Sequence, residues 1–260
     1  MVGKSQDYRK KDRVLNYIPC CRILGVNIST LSMQETISYI EKNLQSLSGS
    51  YICVANVHTT VMSYDDPNYR NIQNDSVMTL PDGAPLSIVA RKRGYKNIER
   101  VTGPDLMKEL FEASERHCYK HFFYGGTPET LEQLQKKLKE KYPYIDIVGM
   151  YSPPFRELTV EENQEIVESV NQYRPDFVWI GLGAPKQEKW MSAHRGRIHG
   201  LMVGVGAGFE YHAGNLKRAP KWMQVCSLEW LYRLMQEPRR LLKRYLYTNL
   251  KFIWLIISGK

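Results

Sequence analysis

Five times along this chain a short apolar stretch breaks into a small, turn-forming segment and then into a helical spacing. Tyr51-Ile-Cys-Val-Ala55 runs into Asn56-Val-His58, Ser76-Val-Met-Thr-Leu80 into Pro81-Asp-Gly83, and His121-Phe-Phe-Tyr124 into Gly125-Gly-Thr-Pro128. Phe177-Val-Trp-Ile180 runs into Gly181-Leu-Gly-Ala-Pro185, and Leu201-Met-Val203 into Gly204-Val-Gly-Ala-Gly208. Strands with no polar alternation are buried on both faces, so they must lie side by side beneath helices. The pattern predicts an α/β fold with a mostly parallel sheet covered on both sides. Ligands of such sheets gather beyond the carboxyl ends of the strands, which places the chemistry in these turns.

Around this repeat the chain divides into four parts. Residues 1–13 form a basic polar tail, 14–105 an α/β half carrying the Pro-Asp-Gly turn, 106–214 a second α/β half, and 215–260 a basic amphipathic appendage. Arg22 to Ser29 reads as a strand pair or a strand and turn, and Ser32 to Leu44 as a helix with Met33, Ile37, Ile40 and Leu44 on one face. The stretch from Gly149 to Leu158, with Pro153-Pro154, is the most irregular and is expected between structural halves.

Charge separates these parts. Of the formal +9, residues 1–13 hold +3 and residues 215–260 hold +8, which leaves the body between them at −2. A nucleic-acid binder spreads cations over the face that meets phosphates, so no nucleic acid is expected. Basic ends on a near-neutral body suit an anionic membrane surface or a phosphorylated substrate. The longest apolar run, Phe252 to Ile257, is far below the roughly 20 residues that span a bilayer. The N-terminus is polar, and Cys20, Cys21, Cys53, Cys118 and Cys226 form no C-x-x-C pair. The expectation is a reduced cytoplasmic protein without a zinc site or disulfide framework.

Three turns place Pro at a helix start behind small residues: Thr102-Gly103-Pro104-Asp105, Gly126-Thr127-Pro128-Glu129 and Gly183-Ala184-Pro185-Lys186. Free N–H groups at such starts attract anions, a diphosphate among them, although each sequence taken singly is also ordinary capping. The dinucleotide fingerprint fails, because Phe209 and Lys186 stand where the third glycine belongs, and the G-x-x-x-x-G-K-[ST] phosphate loop is absent. No D-x-D triplet occurs to clamp a metal on a diphosphate, so arginine and lysine must supply the countercharge. Asp82, at a strand end before a helix, is expected to stay ionised in the helix dipole and to serve as a base toward a hydroxyl, though Asp before Gly is also common turn chemistry. His58 is the second candidate base, with a structural imidazole as the other reading. In the appendage Arg233, Arg240, Arg244 and Lys251 share one helical face. Leu231, Leu234, Met235, Leu241, Leu242, Tyr245, Phe252 and Ile256 share the opposite half, and Pro238 starts a second helix or kinks the first.

These residues resemble the WecG/TagA/CpsF bacterial glycosyltransferases. The resemblance rests on Asn56-Val-His58, Pro81-Asp-Gly83, Glu99-Arg-Val-Thr-Gly-Pro-Asp-Leu106, Tyr124-Gly-Gly126, Gly181-Leu-Gly-Ala-Pro-Lys-Gln-Glu-Lys-Trp-Met191, Val203-Gly-Val-Gly206, Lys217-Arg-Ala-Pro220 and Leu228-Glu-Trp-Leu-Tyr-Arg233 through Glu237-Pro-Arg239. It implies a Rossmann-like GT-E fold whose second half binds a nucleotide sugar. The activity it implies is an inverting, metal-independent transferase with no cofactor. Such an enzyme moves an N-acetylmannosamine-type sugar or related hexose from a UDP-sugar to a polyprenyl-diphosphate-linked sugar, peripherally on the inner face of the cell membrane. By motif position Asp82 is the catalytic base, and Arg233, Arg240 and Lys243 hold the diphosphate, with Arg244 beside the Lys that stands where Arg is expected. Val54 stands where members often carry Thr. Substrate contacts fall on Asn56, His58, Arg100, Thr102, Gly103, Asp105, Gly125, Gly126, Gly183, Lys217 and Arg218. Gln187 and Glu188, in the first turn of their helix, are assigned to the donor. The apolar face of the appendage suits a membrane or a second copy of the chain. A Rossmann-like oxidoreductase and a non-catalytic membrane scaffold are the alternative classes.

Overall fold

The computed structural model describes residues 18–259, so the basic tail 1–13 lies outside them. β1 (Cys20–Ile23) and β2 (Val26–Ser29) form an antiparallel hairpin turned by Leu24 and Gly25, both at positive φ. α1 (Met33–Asn43) starts in a capping box, in which Ser32 accepts from the Glu35 N–H and the Glu35 carboxylate accepts from the Ser32 N–H.

The five repeated units follow as read, and a sixth, from Asp146 to Gln172, joins them. β3 (Tyr51–Ala55) leads to α2 (Val57–Asp65) and α3 (Pro67–Asn74), and β4 (Met78–Pro81) to α4 (Ala84–Lys92) and α5 (Gly103–His117). β5 (Lys120–Gly125) leads to α6 (Pro128–Lys141), β6 (Asp146–Tyr151) to α7 (Val160–Gln172), and β7 (Phe177–Gly181) to α8 (Lys186–Ala193). β8 (Leu201–Gly204) leads to α9 (Gly208–Ala213), after which come α10 (Lys221–Val225), α11 (Glu229–Gln236) and α12 (Pro238–Ile257). Pro238 stands in the first turn of α12, where its missing N–H breaks no helical bond.

All eight strands join one sheet in the order β1-β2-β4-β3-β8-β7-β5-β6, parallel at every pairing after the hairpin. Its two faces explain the missing alternation. Ile52, Leu80, Phe123, Trp179 and Val203 pack on Leu106, Leu110 and Phe111 of α5 and Leu134 of α6. Their strand neighbours Cys53, Tyr124, Ile180 and Met202 pack on Ile166 and Val170 of α7 and Met191 of α8. Inside the first layer His121 is fully buried. It accepts from Trp179 Nε1 at 3.0 Å and lies 2.7 Å from Ser114 Oγ, and burial pushes its midpoint down to about 3.

Two expectations need correction. Gly149 to Tyr151 is not irregular chain between halves but the end of β6, parallel to β5 at the sheet edge. An edge strand is half-buried and carries no continuous apolar run, so Asp-Ile-Val-Gly-Met-Tyr gives a weak signal. The apolar half of α12 is not one face either. Leu241, Thr248, Phe252 and Leu255 are buried, with Phe252 and Leu255 in a cluster that holds Val57 and Val61 of α2. Leu242, Leu246, Leu250, Ile253 and Ile257 are exposed on the other side.

Candidate active site

The sheet order sets the turns in a row: Asp82 after β4, Asn56 after β3, Gly204–Gly208 after β8, Gly181–Pro185 after β7 and Gly125–Pro128 after β5. Four inter-strand steps make this row roughly 19 Å long. Gly125 shows why side chains are missing at its far end. It has φ +120°, and a Cβ there would stand 2.7 Å from the carbonyl carbon of Gly181. Gly126 and Gly183 also have positive φ. Gly103 opens α5 so close to the β8 loop that a Cβ would lie 3.0 Å from Val205 O.

The helix starts at this edge are not all alike. Thr102 caps α5 by accepting from the Asp105 N–H, and Thr127 caps α6 in the same way. Pro104 and Pro128 occupy the first helical turn as expected. Pro185 instead precedes α8, and no side chain caps that helix.

Asp82 is fixed by its backbone. Its N–H donates to Ala55 O at 2.8 Å, and its carbonyl accepts from Arg100 Nε at 2.6 Å. The carboxylate makes no cap to α4, whose N-terminal residue Gly83 has no side chain to offer. Burial dominates and raises the Asp82 midpoint to about 6; Arg100 opposes that, and Glu229 adds to it. Although 32% of the side chain is accessible, this carboxylate is a stronger base than an ordinary one and is still mostly ionised at neutral pH.

Around Asp82 runs a chain of ion pairs. Arg100 bonds Glu229 at 2.5 Å and lies 3.9 Å from Asp82 Oδ1. Arg218 forks onto both oxygens of Asp105 at 3.0 and 3.1 Å and approaches Glu229 at 3.6 Å. Thr102 donates to Asp105 at 2.6 Å. Burial pushes the Asp105 carboxyl up, but bonds from Arg218 and Thr102 outweigh it and hold it below the usual range. The sequence-read residues Asp82, Arg100, Thr102, Asp105 and Arg218 thus form one network.

The appendage arginines lie beside it. Arg233, only 12% exposed, donates to Tyr211 Oη at 3.0 Å and pairs with Glu237 at 2.9 Å. Arg240 meets the same Glu237 oxygen at 2.9 Å. Both Arg218 and Arg233 lie over the Tyr211 ring. Arg244 lies over Tyr245 with its Nε buried and unpartnered, whereas Lys243 is exposed. Lys251 leaves the basic face, pairing with Asp65 of α2 at 2.6 Å. Lys217 is exposed and tied through its backbone to Gln236.

Other expected residues sit away from the open edge or are tuned otherwise. Asn56 caps α2 through its side chain, accepting from the Thr59 N–H. His58 has an unpartnered buried Nδ1, and burial followed by Arg244 pushes its midpoint down to about 4, so it is the weaker of the two bases. Gln187 and Glu188 are 4% and 1% exposed. Gln187 accepts from the Gly206 N–H and donates to Glu188, so it holds the β8 loop from below. Burial pushes the Glu188 carboxyl up. Glu229, Tyr211 and Glu237 escape a sequence reading, since their partners lie far along the chain or are themselves basic candidates. Among the described residues no group of three His, Cys, Asp or Glu side chains is placed to hold a metal ion.

An eight-stranded, mostly parallel sheet with its polar turns at the carboxyl edge and an arginine-bearing helical appendage beside them fits a Rossmann-like fold of the GT-E type. Residues 21–260 match the Glycosyl transferase WecG/TagA/CpsF family, and the chain belongs to it. Similar proteins carry the name N-acetylglucosaminyldiphosphoundecaprenol N-acetyl-beta-D-mannosaminyltransferase. One from Bacillus subtilis strain 168 is 30% identical over 211 residues, 80% of each chain. One from Bacillus spizizenii is 30% identical over 82% of this chain and 79% of its own. A third, from Staphylococcus aureus strain MW2, is 29% identical over 84% of this chain and 85% of its own.

Proposed function

We propose that this glycosyltransferase moves an N-acetylmannosamine-type sugar, or a related hexose, from a UDP-sugar to a polyprenyl-diphosphate-linked sugar, with inversion and without a metal ion. The observation that carries this reading is Asp82, a carboxylate with a raised midpoint at the strand edge, beside a cluster of guanidinium groups. The names of the relatives support the sugar and the lipid acceptor. A row of turns roughly 19 Å long suits a nucleotide sugar lying along the edge.

Asp82 takes the proton of the acceptor hydroxyl while that oxygen attacks the anomeric carbon. The bond from that carbon to the UDP oxygen breaks on the opposite face, which inverts the centre. Charge developing on the departing diphosphate is met by Arg233, Arg240 and the Lys243/Arg244 pair, after the diphosphate displaces Glu237 from the first two. The appendage keeps water from the donor. Its exposed Trp222, Val225, Leu242, Leu246, Leu250, Ile253, Trp254 and Ile257 suit the lipid surface on which the acceptor resides, with exposed Arg239 and Lys243 facing anionic headgroups. No helix among the described residues is long and apolar enough to cross a membrane, and the proposed place of work is peripheral, on the inner face of the cell membrane.

The test is a screen of UDP-sugars with a short-chain lipid-diphosphate acceptor, reading UDP release. Turnover with UDP-N-acetylmannosamine or a related UDP-hexose is expected. Asp82→Asn should lower kcat by about 10²–10⁴ with UDP affinity retained. Near-wild-type turnover in that variant would remove Asp82 as the base.

A further inference from the structure

Arg100 is shared between two carboxylates, and the candidate base is not the nearer. Its Nε donates to the carbonyl of Asp82, while its Nη2 lies 2.5 Å from Glu229 Oε2 and 3.9 Å from Asp82 Oδ1. Glu229 is the first residue of α11 and is 14% exposed. Its other oxygen approaches Arg218, whose guanidinium is forked onto Asp105. The charged groups acting on Asp82 are therefore Arg100 before α5, Glu229 on α11, Arg218 before α10 and Asp105 on α5.

We propose that Glu229 is a positioning residue: seated on Arg100, it draws that guanidinium off Asp82 and so couples docking of the appendage to the proton-accepting strength of the base. The proposal rests on the reading of Asp82 as the base. A carboxylate that loses part of its counter-ion and gains a like charge holds a proton more tightly. Burial remains the larger cause of the raised midpoint, with Arg100 and Arg218 lowering it and Glu229 and Asp105 raising it. With α11 docked, Asp82 is the stronger base. When α11 lifts, Arg100 returns to Asp82, water re-enters, and the base weakens. Proton abstraction is then strongest when the appendage covers the cleft.

Carboxyl ¹³C titration of Asp82 in the full chain tests this, in the wild type, Glu229→Gln and Glu229→Asp, alongside pH profiles of kcat/KM. Glu229→Gln should lower the Asp82 midpoint and the acid limb by about one pH unit. Plateau kcat should fall about three- to tenfold with donor KM nearly unchanged. Glu229→Asp, which keeps the charge, should restore most of both. An unchanged Asp82 midpoint in Glu229→Gln would overturn the proposal even if kcat fell, because Glu229 would then be only a latch. Hydrogen exchange over α11 reports docking. If it rises in Glu229→Gln, the Asp variant decides, and a midpoint there as low as in the Gln variant overturns the proposal. Absence of UDP release from any UDP-sugar by the wild type would overturn the proposed reaction instead, and the titration would still answer for Glu229.

Discussion

The body from β1 to α9 and the appendage from α10 to α12 are held by different forces. In the body the central strands are buried on both faces, and their side chains fill two continuous clusters. In the appendage α10 buries Met223 alone and α11 buries no residue, while α12 uses one narrow face against α2. The rest of its attachment is largely polar: ion pairs from Arg218 to Asp105, Glu229 to Arg100 and Lys251 to Asp65, and Arg233 and Arg218 on Tyr211. Burial is non-directional and cooperative, whereas partly exposed ion pairs are directional, individually weak and screened by salt. Within the appendage α10 and α11 are fastened in the second way and can lift without unfolding the body, whereas α12 stays anchored by Phe252 and Leu255, which suits the proposed cover.

The comparison breaks most sharply if residues 215–260 are deleted. Turnover and binding to anionic vesicles should both be lost while the circular dichroism of the sheet persists. A truncated chain that kept activity, or one that lost its sheet, would show that the two regions are not separable. A pair of substitutions comes next in size. Leu80→Ala, at a position with no exposure, should cost about 2–5 kcal/mol in urea unfolding. Leu250→Ala, at a position 66% exposed, should stay within about 0.5 kcal/mol yet weaken vesicle binding. Equal costs would erase the distinction.

A third effect is that of pH. His121 in the body and His58 beneath the appendage have midpoints pushed down to about 3 and about 4, against 6.5 for a free side chain. The unfolded chain takes up their protons first, so stability is full above pH 6.5 and is lost as pH falls toward these midpoints. For fully buried His121 the loss at pH 4.5 is about 2–3 kcal/mol. Asp82 works oppositely, since its raised midpoint gives a contribution present below 3.8 and lost as pH rises through about 6. Urea titrations across pH 4.5–7.5 should show the histidine trend. A profile that stays flat in Asp82→Asn as well, where the opposing carboxylate is gone, would mean that neither imidazole is kept neutral by burial.

Local chemistry was legible in the sequence wherever neighbours along the chain decide the outcome. The helix from Ser32, the five strand-to-turn breaks, the Asp82 turn and the Pro238 break all depend on residues a few positions apart. What escaped depends on partners brought from a distance. Glu229 finds Arg100 across 129 positions, and Lys251 leaves its basic face for Asp65 across 186. Asp82 stays mostly ionised at neutral pH as expected, but its midpoint is raised by the protein packed around the carboxylate, which the turn sequence does not show. Gln187 and Glu188 stand in a first helical turn as read, but that turn faces the β8 loop and the core. Periodicity marked an apolar half of α12 without showing that only part of it would be covered by α2.

The position of β8 also bears on how the chain is made. It is the last strand in the sequence, yet it lies in the middle of the sheet between β3 and β7. Until residue 204 has emerged from the ribosome, the strands on either side of that gap cannot be joined, and each half-sheet presents an apolar edge with unpaired backbone. During synthesis two incomplete sheets can coexist for about 50 residues of translation after β6 joins β5, some seconds at ordinary elongation rates. The nascent chain is most exposed to mispairing and to capture by chaperones in that interval, which closes when the final strand inserts.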